Sequence, residues 1–502
     1  MVARAQGIFL ALALAGAACL VSCSRSGSRT AQPNVILISL DSCRADHLSG
    51  YGYARPTTPN LDTVAARGAV FLNAYSSTSW TLPAHMALFT ALPDSVHGVN
   101  DNGRPALDPA RVTLAQQFKA ASYETAAFVS GPYLHAAFGF DRGFDRYVNC
   151  TSYPDAKPQG GAGPPQFDPS VHDRSHLDVT NPRLFRAVEG WLETPHERPF
   201  FLFIHVWDIH YDYVPPPPFD KRFDPDYRGA VTAADYEKSP AVHKGMDPRD
   251  LAHIVALYDG EIAYTDDYLG RLFKRVDDLG LSARTLVVVT ADHGEEFFEH
   301  GNKGHQKSLY DEVLRIPLIM RWPGHVPEGV RVKEQARIID IAPTIRALCG
   351  LPRNPEGVGV SLVDHLHGRG KDLPAYAELE VASAHLRLRS IRLPAFKLIW
   401  DLLSDRQMLY DPASDPGETT LLASSAPHAA QAAKYLSDWS HYAQSLARSL
   451  PQTRGREAAQ LPQEVVEKLK SIGYVSSGTA GAGQALPPPP EPPGAPPSAP
   501  SP

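Results

Sequence analysis

The chain has 502 residues, more than the ~100–200 of a usual domain, so a main domain with a smaller companion is expected. Hydrophobic residues make up 43% and charged residues 21%, ordinary values for a globular protein that exclude a largely disordered or multispanning chain. A formal net charge of −7 offers no bulk attraction to nucleic acid, and no nucleic-acid partner is expected.

In chain order, the first feature is an export signal. Arg4 precedes an uncharged apolar run from Ile8 to Val21, which is short of the ~20 residues that span a bilayer and reads as the core of a signal peptide. The run closes in Leu20-Val21-Ser22-Cys23, which looks like a bacterial lipobox. Residues 1–22 are therefore expected to be a lipoprotein signal peptide, Cys23 the lipidated mature N-terminus and 23–32 a linker. Each buried acyl CH₂ contributes ~0.8 kcal/mol, so several chains anchor stably. Ser24 stands where an aspartate would favour inner-membrane retention, so the expected location is the bacterial cell envelope, lipid-anchored at the outer membrane and facing periplasm or exterior. The remaining cysteines, Cys43, Cys150 and Cys349, are too few and too widely spaced for a disulfide framework or a zinc ribbon.

Asn34-Val-Ile-Leu-Ile-Ser-Leu40 is a continuous apolar run, the pattern of a strand buried on both faces of a parallel sheet, and Phe200–Val206 and Thr285–Thr290 repeat it. Between them Leu61–Arg67, Leu114–Ala121, Pro182–Leu192 and a long segment from about Arg249 to Leu279 read as helices. Such alternation predicts an α/β fold with a large mixed, mostly parallel sheet flanked by helices. From about Pro374 the texture changes. Ser390–Leu402 and Gln407–Tyr410 read as antiparallel strands and Asp438–Ser449 as a helix, which together suggest a smaller C-terminal α+β subdomain. Ten prolines between Pro487 and Pro502 describe an extended tail unable to pack a core, and Gly160–Pro165 is a shorter flexible loop.

Polar residues gather where the apolar strands end, which is where ligands sit in open α/β sheets. Asp41 follows the first strand; Asp292 and His293 follow the third. One aspartate after a strand is commonly a turn or cap residue, but two at matching positions, joined by an imidazole, suit a metal. In Ser79-Trp80-Thr81-Leu82-Pro83-Ala84-His85, Thr81 precedes a helical run with proline in its first turn; it is either a plain N-cap or a nucleophile at a helix N-terminus. Histidines complete the set in Phe203-Ile-His205-Val-Trp-Asp208-Ile-His210-Tyr211 and in Glu299-His300-Gly301-Asn302-Lys303-Gly304-His305.

Taken together, these segments resemble the sulfatase family of the alkaline phosphatase superfamily, from about Pro33 to Val475. The resemblance is carried by Asn34–Asp41, Arg55-Pro-Thr-Thr-Pro-Asn-Leu61, Thr81–Leu88, Trp207-Asp-Ile-His210, Thr290-Ala-Asp-His-Gly-Glu295, Leu309-Tyr-Asp-Glu-Val-Leu-Arg-Ile-Pro317 and Leu469-Lys-Ser-Ile-Gly-Tyr-Val475, in the family's order. It implies a catalytic domain over residues 33–373, a C-terminal subdomain over 374–478 and a Pro-rich tail over 479–502. It also implies Asp41, Thr81, Asp292 and His293 around a divalent metal, with Thr81 also attacking. His210 and His305, assisted by Lys303 or Lys307, would contact the ester's oxygens or the leaving group. One metal site is expected, with room left for a second.

Three departures refine this expectation. The Cys/Ser-x-Pro-x-Arg motif that matures to formylglycine is here Thr81-Leu82-Pro83-Ala84-His85, and a secondary alcohol cannot follow that route. Asp41-Ser42 replaces a pair of aspartates common in the family, and His293 replaces a frequent asparagine. Imidazole suits Mn²⁺ or Zn²⁺ better than Ca²⁺, although Mg²⁺ and Ca²⁺ stay in the set. The expected function is a lipid-anchored metal-dependent hydrolase of sulfate, phosphate or phosphonate esters borne by a small molecule, glycan or lipid. Phosphorus is preferred because a threonine has one oxygen and cannot expel sulfate as a formylglycine hydrate does. The alternatives are an envelope phospho-head-group transferase and a noncatalytic glycan-binding envelope lipoprotein.

Overall fold

A computed structural model describes residues 32–99, 106–151 and 178–452. The signal peptide, Cys23, the Gly160–Pro165 loop, the Leu469–Val475 motif and the Pro-rich tail lie outside the described residues. Among those described, no helix is long and apolar enough to cross a membrane.

The apolar run Asn34–Leu40 forms β1, with every residue buried, because strands lie on both of its edges and layers cover both of its faces. In chain order the other strands of this sheet are β2 (Ala69–Tyr75), β3 (Glu124–Val129), β4 (Arg146–Asn149), β5 (Phe200–Val206) and β6 (Thr285–Ala291). After a short hairpin, β7 (Glu296–Phe297) and β8 (Lys303–Gly304), come β9 (Arg315–Arg321), β10 (Val330–Val332) and β11 (Ala336–Arg337). The order across the sheet is β10-β2-β9-β6-β1-β5-β3-β4, with β11 also on β2. β1 pairs in parallel with β5 and β6, so their C-terminal ends lie side by side. β9 runs antiparallel to both β2 and β6, which makes the sheet mixed.

β2, β3 and β9 were not legible from periodicity. The first two carry alanines that fit either a strand or a helix, and β9 contains Pro317. The register between β2 and β9 shifts between Phe71 and Ala74, opposite Pro317, and a bulge is where a residue without an N–H is tolerated inside a sheet.

The helix Pro248–Asp278 starts at Asp247, whose carboxylate accepts from Arg249 N at 2.8 Å, and has proline in its first turn. It packs against helices Pro59–Ala66 and Asn181–Leu192. The C-terminal sheet is an antiparallel meander of β12 (Ala375–Val381), β13 (Leu386–Leu393), β14 (Phe396–Asp401) and β15 (Arg406–Tyr410). The expected single strand Ser390–Leu402 is thus corrected to two strands, turning between Leu393 and Phe396 where no glycine or asparagine marked the hairpin. Helix Ala429–Ser449 covers β13 and β14, burying Ala432 and Leu436 against Ile391, Phe396, Leu398 and Leu409. Full burial of a leucine contributes ~1.5–3 kcal/mol, so this second core is modest. Ionic contacts tie the two sheets together: buried Lys397 on β14 meets Asp311 at 2.8 Å and Glu418 at 2.7 Å.

Candidate active site

The site begins where β1 and β6 stop. Asp41 N still donates to Val206 O at 2.9 Å, extending the pairing with β5, before the chain turns through Ser42 at φ 51°. Tyr258 holds that turn, its hydroxyl donating to Ser42 O at 2.8 Å and accepting from Arg44 N at 2.9 Å. Asp292 Oδ1 accepts from Ser42 N at 3.2 Å and His293 N at 2.9 Å. The other oxygen of Asp292 and both oxygens of Asp41 are buried and make no hydrogen bond.

His293 Nδ1 donates to Gly294 O at 2.9 Å, which turns Nε2 toward Thr81 and the carboxylates. That nitrogen shares a hydrogen bond with the Thr81 hydroxyl at 3.1 Å and lies 3.4 Å from Asp292 Oδ2 and 3.9 Å from Asp41 Oδ1. Thr81 is the first residue of the wholly buried helix Thr81–Thr90, so its oxygen sits at the positive end of the helix dipole. Burial and the Asp292 charge push the Asp41 carboxyl well above its usual range. Burial also acts to raise Asp292, yet the adjacent His293 imidazole, aided by the Ser42 N–H, outweighs it and holds the carboxyl at about 2. Two buried carboxylates cannot both ionise without a positive charge between them. A divalent cation fits this donor set of unbonded carboxylate oxygens, an imidazole nitrogen and a hydroxyl.

Two further histidines, absent from the expected site, lie behind the carboxylates. His205 on β5 donates from Nδ1 to Ser130 O at 2.7 Å and places Nε2 3.2 Å from Asp41 Oδ2. His85 donates from Nδ1 to Thr81 O at 2.8 Å, and the same nitrogen lies 3.7 Å from Asp292 Oδ2. Burial lowers both, His85 to about 3 and His205 to about 4, so each is a neutral ring. The signal existed: His205 is the one strongly polar side chain in Phe200–Val206, and His85 is four residues after Thr81, on the same helical face.

His210 and His305 come to the same cleft. The His305 ring centroid is 4.4 Å from that of His293 and 4.9 Å from that of His210. Glu295, missed as a site residue, fixes His305 through Nδ1 at 3.0 Å. His210 stacks on Trp207 at 3.8 Å. Gly131, at φ +80°, faces the Trp207 ring so closely that a Cβ there would lie 2.3 Å from it. Asp208, between them in sequence, serves elsewhere: its carboxylate accepts from Thr180 N at 2.7 Å and Asn181 N at 2.9 Å, at the start of helix Asn181–Leu192. Lys303 donates to the carbonyls of Tyr236 and Val242, both at 2.7 Å, and Lys307 to Glu237 at 2.8 Å. Both ammonium groups are thus engaged by the segment 236–242.

A second group of acids and a histidine, Glu296, His300 and Glu312, is wired differently. His300 contacts Glu312 Oε1 through Nδ1 and the Glu418 carbonyl through Nε2 at 3.1 Å, so both ring nitrogens donate and the imidazolium itself supplies the positive charge.

Comparison with known proteins agrees with this geometry. The family described as Sulfatase matches residues 33–351, and the family described as N-sulphoglucosamine sulphohydrolase, C-terminal, matches residues 299–439. Delta 4,5-hexuronate-2-O-sulfatase of Bacteroides thetaiotaomicron is 24% identical over 80% of this chain and 87% of its own length. Human arylsulfatase A is 27% identical over 68% of each chain. Among solved structures, the phosphonate monoester hydrolase of Agrobacterium radiobacter superposes with a TM-score of 0.65 at 26% identity, covering 83% of this chain and 96% of that one.

Proposed function

The chain belongs to the sulfatase family and is a metal-dependent ester hydrolase; from that premise we propose that Thr81 is its nucleophile and that phosphate or phosphonate esters are turned over better than sulfates. The observation that carries this reading is the Thr81 hydroxyl at 3.1 Å from His293 Nε2, at a buried helix N-terminus beside the Asp41 and Asp292 oxygens that make no hydrogen bond.

Asp41, Asp292, His293 and the Thr81 oxygen would hold the divalent cation, with His205 and His85 behind the carboxylates. When bound there, Mn²⁺, Zn²⁺, Mg²⁺ or Ca²⁺ supplies positive charge against the anionic ester and the developing alkoxide. Thr81 Oγ1 attacks the ester centre in line: a bond to that oxygen forms, the bond to the leaving oxygen breaks, and the Thr81 proton ends on the leaving oxygen by way of the cleft histidines. His210 and His305 contact the ester's oxygens or the leaving group, the latter with its ring fixed by Glu295. Water then attacks the covalent ester and releases Thr81. The second step favours phosphorus, whose transition state spreads charge over three equatorial oxygens. Threonine has no second hydroxyl with which to expel sulfate. The likeness to the phosphonate monoester hydrolase supports the preference, and the sulfatase relatives support an anionic ester as the substrate class.

A chromogenic panel of aryl sulfate, phosphate monoester, phosphate diester and phosphonate, each with Mn²⁺, Zn²⁺, Mg²⁺ and Ca²⁺, tests the reading. A higher kcat/KM for aryl sulfate than for every phosphorus ester overturns the preference. We also propose that Cys23 carries lipid and anchors the enzyme at the outer membrane. Cys23→Ala then releases the protein from the membrane fraction, and an unmodified N-terminus at another residue, found by mass spectrometry, refutes the anchor.

A further inference from the structure

Helix Ala429–Ser449 buries one face, through Ala432, Leu436 and Ala443, and carries an aromatic flank beside it. Tyr435, Trp439 and Tyr442 stand at i, i+4 and i+7, the spacing that lines side chains along one stripe of a helix. Among the described residues the exposed large apolar side chains include two aromatic ones, and both belong to this stripe: Tyr435, 38% exposed, and Tyr442, 49% exposed. Trp439 between them is partly buried. Its ring stacks on that of Tyr376 on β12 with centroids 4.3 Å apart and lies 5.6 Å from that of Tyr442.

The stripe borders a hollow at the seam between the two sheets. Ser77 after β2, Pro93 and Ile338 after β11 wall it on the side of the main sheet, and Tyr376 and Trp439 on the side of the C-terminal subdomain. The guanidinium in its wall, Arg337, is held by the two oxygens of Asp340 at 2.8 Å and 2.7 Å, so it is not left over to select an anion. The indole nitrogen of Trp439 can only donate, and it is buried without a hydrogen bond. Such a surface suits a chain that brings apolar rings and unengaged carbonyl oxygens with little charge.

The sequence supplies one. Pro487 to Pro502 holds ten prolines and a single charged side chain, Glu491, with the P-x-x-P spacing at Pro487–Pro490, Pro493–Pro496 and Pro497–Pro500. A polyproline II helix turns every three residues, which sets those prolines on one side, and no internal hydrogen bond occupies its carbonyls. Aromatic-lined grooves take proline-rich segments in this way. Reach is ample: Trp439 lies ~15 Å of helix before Ser449, whereas the chain from Leu450 to Pro487 covers more than ~100 Å when extended. We propose that the segment Pro487–Pro502 docks along Tyr435, Trp439 and Tyr442 and straps the C-terminal subdomain to the main sheet. This inference is independent of the chemistry assigned to Thr81.

The test uses a fluorescent peptide with the sequence of Leu486–Pro502 and two full chains: wild type, and a variant with all ten prolines from Pro487 to Pro502 replaced by serine. The serine variant keeps the hollow but has no tail to fill it. Fluorescence anisotropy is expected to show the peptide binding the serine variant at least tenfold more tightly than wild type, where the chain's own tail competes at an effective concentration in the millimolar range. Tyr442→Ala and Trp439→Phe, each added to the serine variant, are expected to weaken the peptide by about three- to tenfold, the loss of one aromatic contact or one hydrogen bond. Tyr442 is exposed and Trp439→Phe keeps a ring, so both substitutions spare the core. No binding to the serine variant overturns the proposal. Equal binding to both chains also overturns it, because the hollow then receives a proline-rich partner and not this tail. Binding that survives both substitutions places the tail elsewhere and overturns it as well.

Discussion

Two groups, Asp41 with Asp292 and His293 and Glu296 with His300 and Glu312, each join two carboxylates to an imidazole, and they are wired differently. Around Asp41, Asp292 and His293, three carboxylate oxygens are fully buried and make no hydrogen bond, while His293 Nε2 faces the Thr81 hydroxyl at 3.1 Å. Around Glu296, His300 and Glu312, the histidine donates from both nitrogens and is the cation of its own cluster. Proximity of acids and histidines is therefore a poor guide to a metal site. What separates the two is the number of buried carboxylate oxygens left without a hydrogen bond, three around His293 against one, Glu296 Oε2, around His300.

The largest expected effect is at the hydroxyl that sits over the first group. Thr81→Ala should lower kcat roughly 10³-fold or more, whereas Thr81→Ser, which keeps the oxygen, should retain measurable turnover. Undiminished activity in the alanine variant excludes covalent catalysis by this residue. Asp292→Ala should empty the first group of metal and cost on the order of 10²-fold or more in activity. Elemental analysis reads this directly, and full occupancy in that variant removes the assignment. His205→Ala should act more gently, weakening metal affinity by about 10–100-fold as the ring packed 3.2 Å from Asp41 is lost, as chelator titration can measure.

In the second group the outcome should differ in kind. Glu312→Gln is expected to leave metal content intact and to cost about 1–3 kcal/mol of stability, because His300 loses its charged partner. A fall in bound metal with no change in the denaturation midpoint would contradict the distinction between the groups. The smallest effect is a pH dependence. Burial acts to lower the His300 pKa, but Glu312 and the Glu418 carbonyl outweigh it and the net shift is upward. Its contribution is then complete below the unfolded value of about 6.5 and is lost as pH rises through the higher folded value. The stability difference between wild type and His300→Gln should accordingly shrink from acid to alkaline pH, and a difference that grows instead reverses the assignment.

Much of this site was visible in the order of residues. The runs Asn34–Leu40, Phe200–Val206 and Thr285–Ala291 are apolar throughout because both faces of their strands are covered, and continuous hydrophobicity survives as a one-dimensional signal. Polar residues directly after such runs had to lie at one edge of the sheet, so Asp41, Asp292 and His293 could be grouped before any distance was known. His85 and His205 were not grouped with them, because a single histidine inside a helix or strand reads equally well as a satisfied core residue. Lys303 was grouped with the reacting residues, and only the folded segment 236–242 shows which carbonyls take its ammonium.

The sequence by itself determined the α/β architecture and the identity of the nucleophile candidate, because burial patterns and the chemistry of Thr81 belong to the residues themselves. Only the tertiary structure decided that β9 runs antiparallel inside the sheet and that Pro317 sits at a bulge. It alone also separated the group around His293 from the group around His300. Strand direction and hydrogen-bond satisfaction depend on partners hundreds of residues away, such as Ser42 N on Asp292 or the Glu418 carbonyl on His300, and no local pattern encodes those partners.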